Sequence, residues 1–126
     1  MTPEQLKVRT KSYALRILKV VQALPENREC NIFGSQLLRA GTSVGANYRA
    51  VCRAKSPADF LHKLRIVEEK CDETLFWMEM LVEGDLVKES RLKELMSEGN
   101  EILSIIVSSA KTIRSSSGAS IVNRKS

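Results

Sequence analysis

Residues 31–54 read NIFGSQLLRAGTSVGANYRAVCRA, and the spacing of the apolar positions in this stretch decides the fold. Phe33, Leu37, Ala40, Val44, Asn47 and Val51 recur at alternating intervals of four and three. That repeat holds one stripe of a helix against a partner. Beside it runs a second stripe, Gly34, Leu38, Gly41, Gly45, Tyr48 and Cys52. Each of its glycines costs about 1 kcal/mol relative to Ala in a helix interior. The stripe therefore implies close backbone approach by another helix, either within the same bundle or from a second subunit. Gly41, Gly45 and Tyr48 are assigned to this structural or oligomer-forming role, and Asn47, the polar member of the first stripe, is expected to fix register by a buried hydrogen bond.

Working outward, the same periodicity repeats on both sides. A first helix opens with Thr2 as N-cap, Pro3 at the first position and Gln5 placed for a capping box, and ends at Leu24-Pro25. Its stripe is Leu6, Thr10, Tyr13, Ile17, Val20 and Leu24. The second helix runs from about Asn31 to Ala54. Ser56-Pro57-Ala58-Asp59 signals a third, with Phe60, Leu64, Val67, Cys71, Thr74, Met78 and Leu81 as its stripe and Gly84-Asp85 as its close. Ser90 is placed to cap a fourth, whose stripe is Leu92, Leu95, Gly99, Ile102, Ile106 and Ile113. Short connections make consecutive helices antiparallel neighbours. The expectation is an all-α, antiparallel up-and-down four-helix bundle over residues 1–115, followed by a flexible C-terminal tail, 116–126.

A chain of 126 residues suffices for one core without staples. Its three cysteines, Cys30, Cys52 and Cys71, show no C-x-x-C spacing, so neither a disulfide framework nor a zinc site is implied. Idle thiols in a reducing cytosol, an N-terminus unlike a secretory signal and no apolar run of membrane-span length together place the chain in the cytoplasm, away from membranes. The formal charge of +5 is unevenly spread. Residues 1–55 hold ten Lys or Arg against three acids, and residues 56–89 hold four against nine.

Catalytic chemistry finds no constellation. A di-iron bundle needs two Glu-x-x-His pairs, and this chain has one histidine, His62, with only Asp59 near it in sequence. Gly41 and Gly45 lack the Lys-Ser or Lys-Thr pair of a phosphate loop. No serine has an elbow sequence, and the acids Glu68, Glu69, Asp72 and Glu73 cluster as a solvated helix face does. No enzyme, cofactor or metal is expected. What remains is a basic strip, Arg39, Arg49 and Arg53 at helical spacing with Lys55 just beyond, and with Thr42 and Ala46 between. Guanidinium forks suit phosphate oxygens. The alternative is that these arginines pair with the acids of the third helix, in the same chain or in a neighbour.

The segments Gln36–Ala50 (QLLRAGTSVGANYRA), Ser56–Val67 (SPADFLHKLRIV) and Glu73–Leu81 (ETLFWMEML) resemble the bacterial 23S rRNA intervening-sequence protein family, also called four-helix-bundle proteins. The resemblance covers all four helices and their loops. It implies a non-enzymatic homo-oligomer, a pentamer around a central channel, and a link to RNA. More distantly, the chain is similar to the accessory protein of diversity-generating retroelements, which works with a reverse transcriptase and nucleic acid. Many relatives carry Glu after the Asn-Tyr-Arg, where this chain has Ala50, so the strip is more positive here. Expected partners are thus a second copy of the chain and RNA or DNA phosphates bound by Arg39, Arg49, Arg53 and Lys55, or else a protein such as a polymerase with the arginines bridging subunits.

Overall fold

The computed structural model describes the backbone of residues 1–125 and the side chains of residues 1–115. The tail expected at 116–126 lies outside the residues whose side chains are described. Among the described residues there are four helices, α1 (Pro3–Gln22), α2 (Arg28–Val51), α3 (Pro57–Glu83) and α4 (Glu89–Lys125), and no strand. Each packs chiefly on its neighbours in sequence, and α1 and α4 close the ring over a thinner interface. This is the expected antiparallel four-helix bundle.

Local chemistry sets the helix ends. Thr2 Oγ1 accepts from the Gln5 N–H at 3.1 Å while Gln5 Oε1 accepts from the Thr2 N–H at 2.9 Å, the reciprocal capping box. Ser56 Oγ accepts from the Asp59 N–H at 3.0 Å. Two boundaries differ from the sequence reading. Asn27, not Asn31, opens the second helix, its Oδ1 accepting from the Cys30 N–H at 2.8 Å. The same helix stops at Val51 because Arg53 and Ala54 turn back in i to i−3 bonds to Ala50 and Val51. In addition, α4 starts at Glu89, which puts Ser90 inside its first turn and Lys88 before it, so Ser90 is not the cap.

Gly84 does close α3, though the left-handed residue is its neighbour Asp85, at φ 59°. Asp tolerates that region better than most residues. Gly84 is needed for space, since a Cβ there would lie 2.7 Å from the Met80 carbonyl oxygen.

The predicted stripes form the core. Tyr13, Ile17, Leu37, Val44, Leu64, Val67, Cys71, Met78, Leu81, Ile102 and Ile106 are fully buried. Leu75 and Ala110 join them, beyond the predicted positions. The glycine stripe faces α1: added Cβ atoms at Gly34, Gly41 and Gly45 would meet Leu24, Ile17 and the Thr10–Lys11 backbone respectively. The close approach inferred from the sequence is therefore made inside the bundle.

One polar chain crosses this core. Thr74 Oγ1 donates to the Cys71 carbonyl at 2.6 Å, which uses its only hydrogen, so the Tyr13 hydroxyl 2.7 Å away is the donor to Thr74. The Cys71 thiol donates to the Gly99 carbonyl at 3.4 Å. Burial pushes that thiol up to about 12 and raises the Tyr13 phenol as well. Both stay protonated and serve α1, α3 and α4 as fixed donors.

Candidate nucleic-acid interface

Arg39, Thr42, Ala46 and Arg49 lie along the outer side of α2 beside α1, whereas Arg53, expected on the same helical strip, sits in the turn past the end of the helix at Val51. Arg39, Arg49, Arg53 and Lys55 are all exposed. Lys55 stands in the short α2–α3 connection, anchored by its own N–H to Asp59 Oδ2 at 3.0 Å. Asp59 also takes the Lys63 ammonium at 3.0 Å, and these two donors hold its carboxyl below the ordinary value. Asp59 is thus a first-turn acid tied to the α2–α3 connection and to Lys63, and His62 an exposed imidazole.

None of the four basic side chains makes an ion pair among the described residues. The acids of α3 pair along their own helix, Glu68 with Arg65 at 3.2 Å and Glu73 with Lys70 at 3.5 Å. Between helices, among the described residues, the ion pairs run from Arg9 of α1 to Glu98 at 2.7 Å and Glu101 at 3.0 Å on α4. The pairing of the α2 arginines with α3 acids inside one chain is therefore not what the structure holds. Antiparallel packing turns the charged side of each helix outward, and the two sets of charges do not meet.

The strip is one wall of a groove. Lys7, Lys11, Ala14 and Leu15 of α1 face Thr42, Gly45, Ala46 and Arg49 of α2 across a cleft of about 380 Å³. A second cleft, about 440 Å³, continues it past Leu18, Leu38 and Arg39. Small residues at 14, 45 and 46 keep its floor low. Lys7 and Lys11 were absent from the sequence reading; their spacing of four was visible, but nothing in the sequence says which helix lies beside α2 on that side.

The polar residues between the arginines are spoken for. Thr42 Oγ1 donates to the Leu38 carbonyl at 2.9 Å and Ser43 Oγ to the Arg39 carbonyl at 2.7 Å. The Asn47 amide donates to the Ser43 carbonyl at 2.8 Å within α2, and the side chain is half-buried. Its bond is intrahelical, so the register role expected of it is not performed across helices within this chain. Tyr48 is buried, and its phenol is pushed up to about 12 by that burial, with Cys52 beside it. Gly41 and Tyr48 line the inner side of α2, away from the exposed strip.

The sequence profile described as 23S rRNA-intervening sequence protein matches residues 4–108. The chain belongs to that family. A solved structure from Bacteroides thetaiotaomicron, described as a protein with unknown function from the S23 ribosomal protein family, superimposes with a TM-score of 0.81 at 30% identity. The match covers 88% of this chain and 99% of that one. Among curated proteins none matches. The family match takes in all of α1 after its first residue, α2, α3 and α4 as far as Ser108, so the basic strip and its groove fall inside it. Among the described residues, no helix of this family member is long and apolar enough to cross a membrane.

Proposed function

We propose that the chain is a non-enzymatic, cytoplasmic, homo-oligomeric scaffold that contacts RNA or DNA phosphates through the outer face of α1 and α2 without reading bases. The observation that carries this reading is that Arg39 and Arg49 line the groove with Lys11 across it, while Arg53 and Lys55 are exposed just past the end of α2, all four free of ion pairs among the described residues. Arginine forks recognise phosphate oxygens, whereas the hydroxyls nearby already donate to their own helix. The family's name ties its members to 23S rRNA insertions. A pentamer, the assembly implied by the resemblance, would repeat the basic face five times.

Filter binding of a structured RNA and of a DNA duplex over a range of salt tests it. Neutralising four phosphates gives a slope of log K against log salt of about −3.6 on duplex DNA. Replacing Arg39, Arg49 and Arg53 together by Ala should flatten that slope by about 2 to 3. Absence of binding at low salt, or a slope unmoved by the triple variant, would reject the reading.

A second reading is favoured by the acids of α3, which lie exposed beside the apolar Phe76 and Met80. In it the arginines bridge one copy to the α3 ridge of the next, and the assembly binds a protein. Arg49→Ala with Arg53→Ala would then dissociate the oligomer, and no nucleic acid would be retained.

A further inference from the structure

At the opposite end of the bundle from Arg53 and Lys55, the last turn of α1, the α3–α4 connection and the first turn of α4 enclose a cleft of about 700 Å³. Its floor is apolar: Val20, Leu24, Leu86 and Val87 are half-buried there and Leu92 is buried. Lys19, Lys88 and Arg91 stand at its rim, all exposed. No acid lines the cleft, and none of the three cations is in an ion pair among the described residues.

Two features specify an occupant. A site of several hundred Å³ with an apolar lining and a few convergent polar groups has the dimensions of a small-molecule pocket. Here every charged group at the rim has the same sign, so the complementary ligand is an anion at one end and apolar at the other. We infer that the cleft binds a single-chain amphiphilic carboxylate, its alkyl chain on Val20, Leu24 and Val87 and its head among Lys19, Lys88 and Arg91. A nucleic-acid strand fits poorly, because the floor offers no aromatic face for stacking and few donors along a backbone. The site lies at the far end from Arg53 and Lys55, and it stands independently of the reading given to the basic face.

The test is titration of the full-length protein with sodium decanoate below its micelle concentration, followed by amide chemical shifts. Shifts should concentrate in residues 19–25 and 86–92. Affinity should tighten roughly two- to fourfold per methylene from octanoate to decanoate to dodecanoate, as apolar burial demands. Lys88→Glu with Arg91→Glu, both at exposed positions, should weaken decanoate about tenfold while the far-ultraviolet dichroism stays native. Val87→Ser is a second probe, which weakens all chain lengths while the methylene dependence persists on Val20, Leu24 and Leu92. The inference is overturned if decanoate moves no amides in the two segments. It also fails if decyltrimethylammonium binds there as tightly, or if the double charge variant binds decanoate unchanged.

Discussion

At the residue scale, the three glycines of α2 look alike in sequence and differ in what surrounds them. A Cβ at Gly41 would lie 2.6 Å from Ile17 Cδ1, 3.0 Å from its Cγ2 and 3.3 Å from its Cβ. Rotating a β-branched side chain relieves only the first of these. At Gly45 the nearest atoms belong to the α1 backbone, at 3.5 Å and beyond, which is ordinary contact. Gly41→Ala should therefore lose about 1 kcal/mol, overpacking outweighing the gain in helix propensity, whereas Gly45→Ala should gain about 0.5 to 1 kcal/mol. Urea unfolding midpoints in the order Gly45→Ala, wild type, Gly41→Ala check this, and equal midpoints would refute it. The stripe itself was legible from its spacing. Which glycine is indispensable was not, because that depends on the rotamer of Ile17 on another helix. Gly99 is a third case, where an added methyl would collide with the Tyr13 hydroxyl.

Elements were read well where a cap is local and less well where it competes with another. Thr2 and Ser56 sit before prolines, and both start helices as predicted. Asn27 and Asn31 are each acceptable N-caps, four residues apart. The earlier one prevails because it buries Cys30 and gains the first turn of α2. Contacts between elements were harder to foresee. The Arg9 fork holds Glu98 by bonds of 2.8 and 2.7 Å, the ionic clasp of the thin α1–α4 seam. Hydrogen bonds from Arg9 keep the Glu98 carboxyl below its ordinary 4.5 and raise the Arg9 guanidinium further. The folded chain thus takes up this proton less readily than the unfolded chain. The stabilisation is complete above that ordinary value and is lost as pH falls through the depressed one. Stability measured by urea unfolding should decline as pH is lowered below the ordinary 4.5, and Glu98→Gln should flatten that decline by about 1 kcal/mol, a magnitude tempered by solvent at both side chains. Parallel curves for the two proteins would rule out the clasp.

For the whole molecule, the imbalance between residues 1–55 and 56–89 was plain in the sequence, but its destination was not. Helical spacing tells which residues share a face and says nothing about the distance from that face to another helix. Only the packed bundle shows basic and acidic faces turned away from one another, with apolar residues stranded on both. Val8 and Leu15 are 70% and 51% exposed on α1, and Phe76 and Met80 are 50% and 37% exposed on α3. Because α1 and α3 sit diagonally, these faces point to opposite sides, which suits a head-to-tail ring better than a two-fold dimer. Val8 and Leu15 also line the α1–α2 groove, so an oligomer formed through these faces covers it and is the assembly of the second reading; sedimentation equilibrium should then give a mass that is a multiple of 14.1 kDa. Leu15→Ser with Phe76→Ser should return the chain to 14.1 kDa with its helical content intact, since neither side chain belongs to the buried core. High salt alone should weaken the wild-type assembly less than the double variant does, because apolar contact persists where screened charge pairs do not. A wild-type chain already sedimenting at 14.1 kDa would remove the scaffold from the proposal and leave the basic face to act as a single copy.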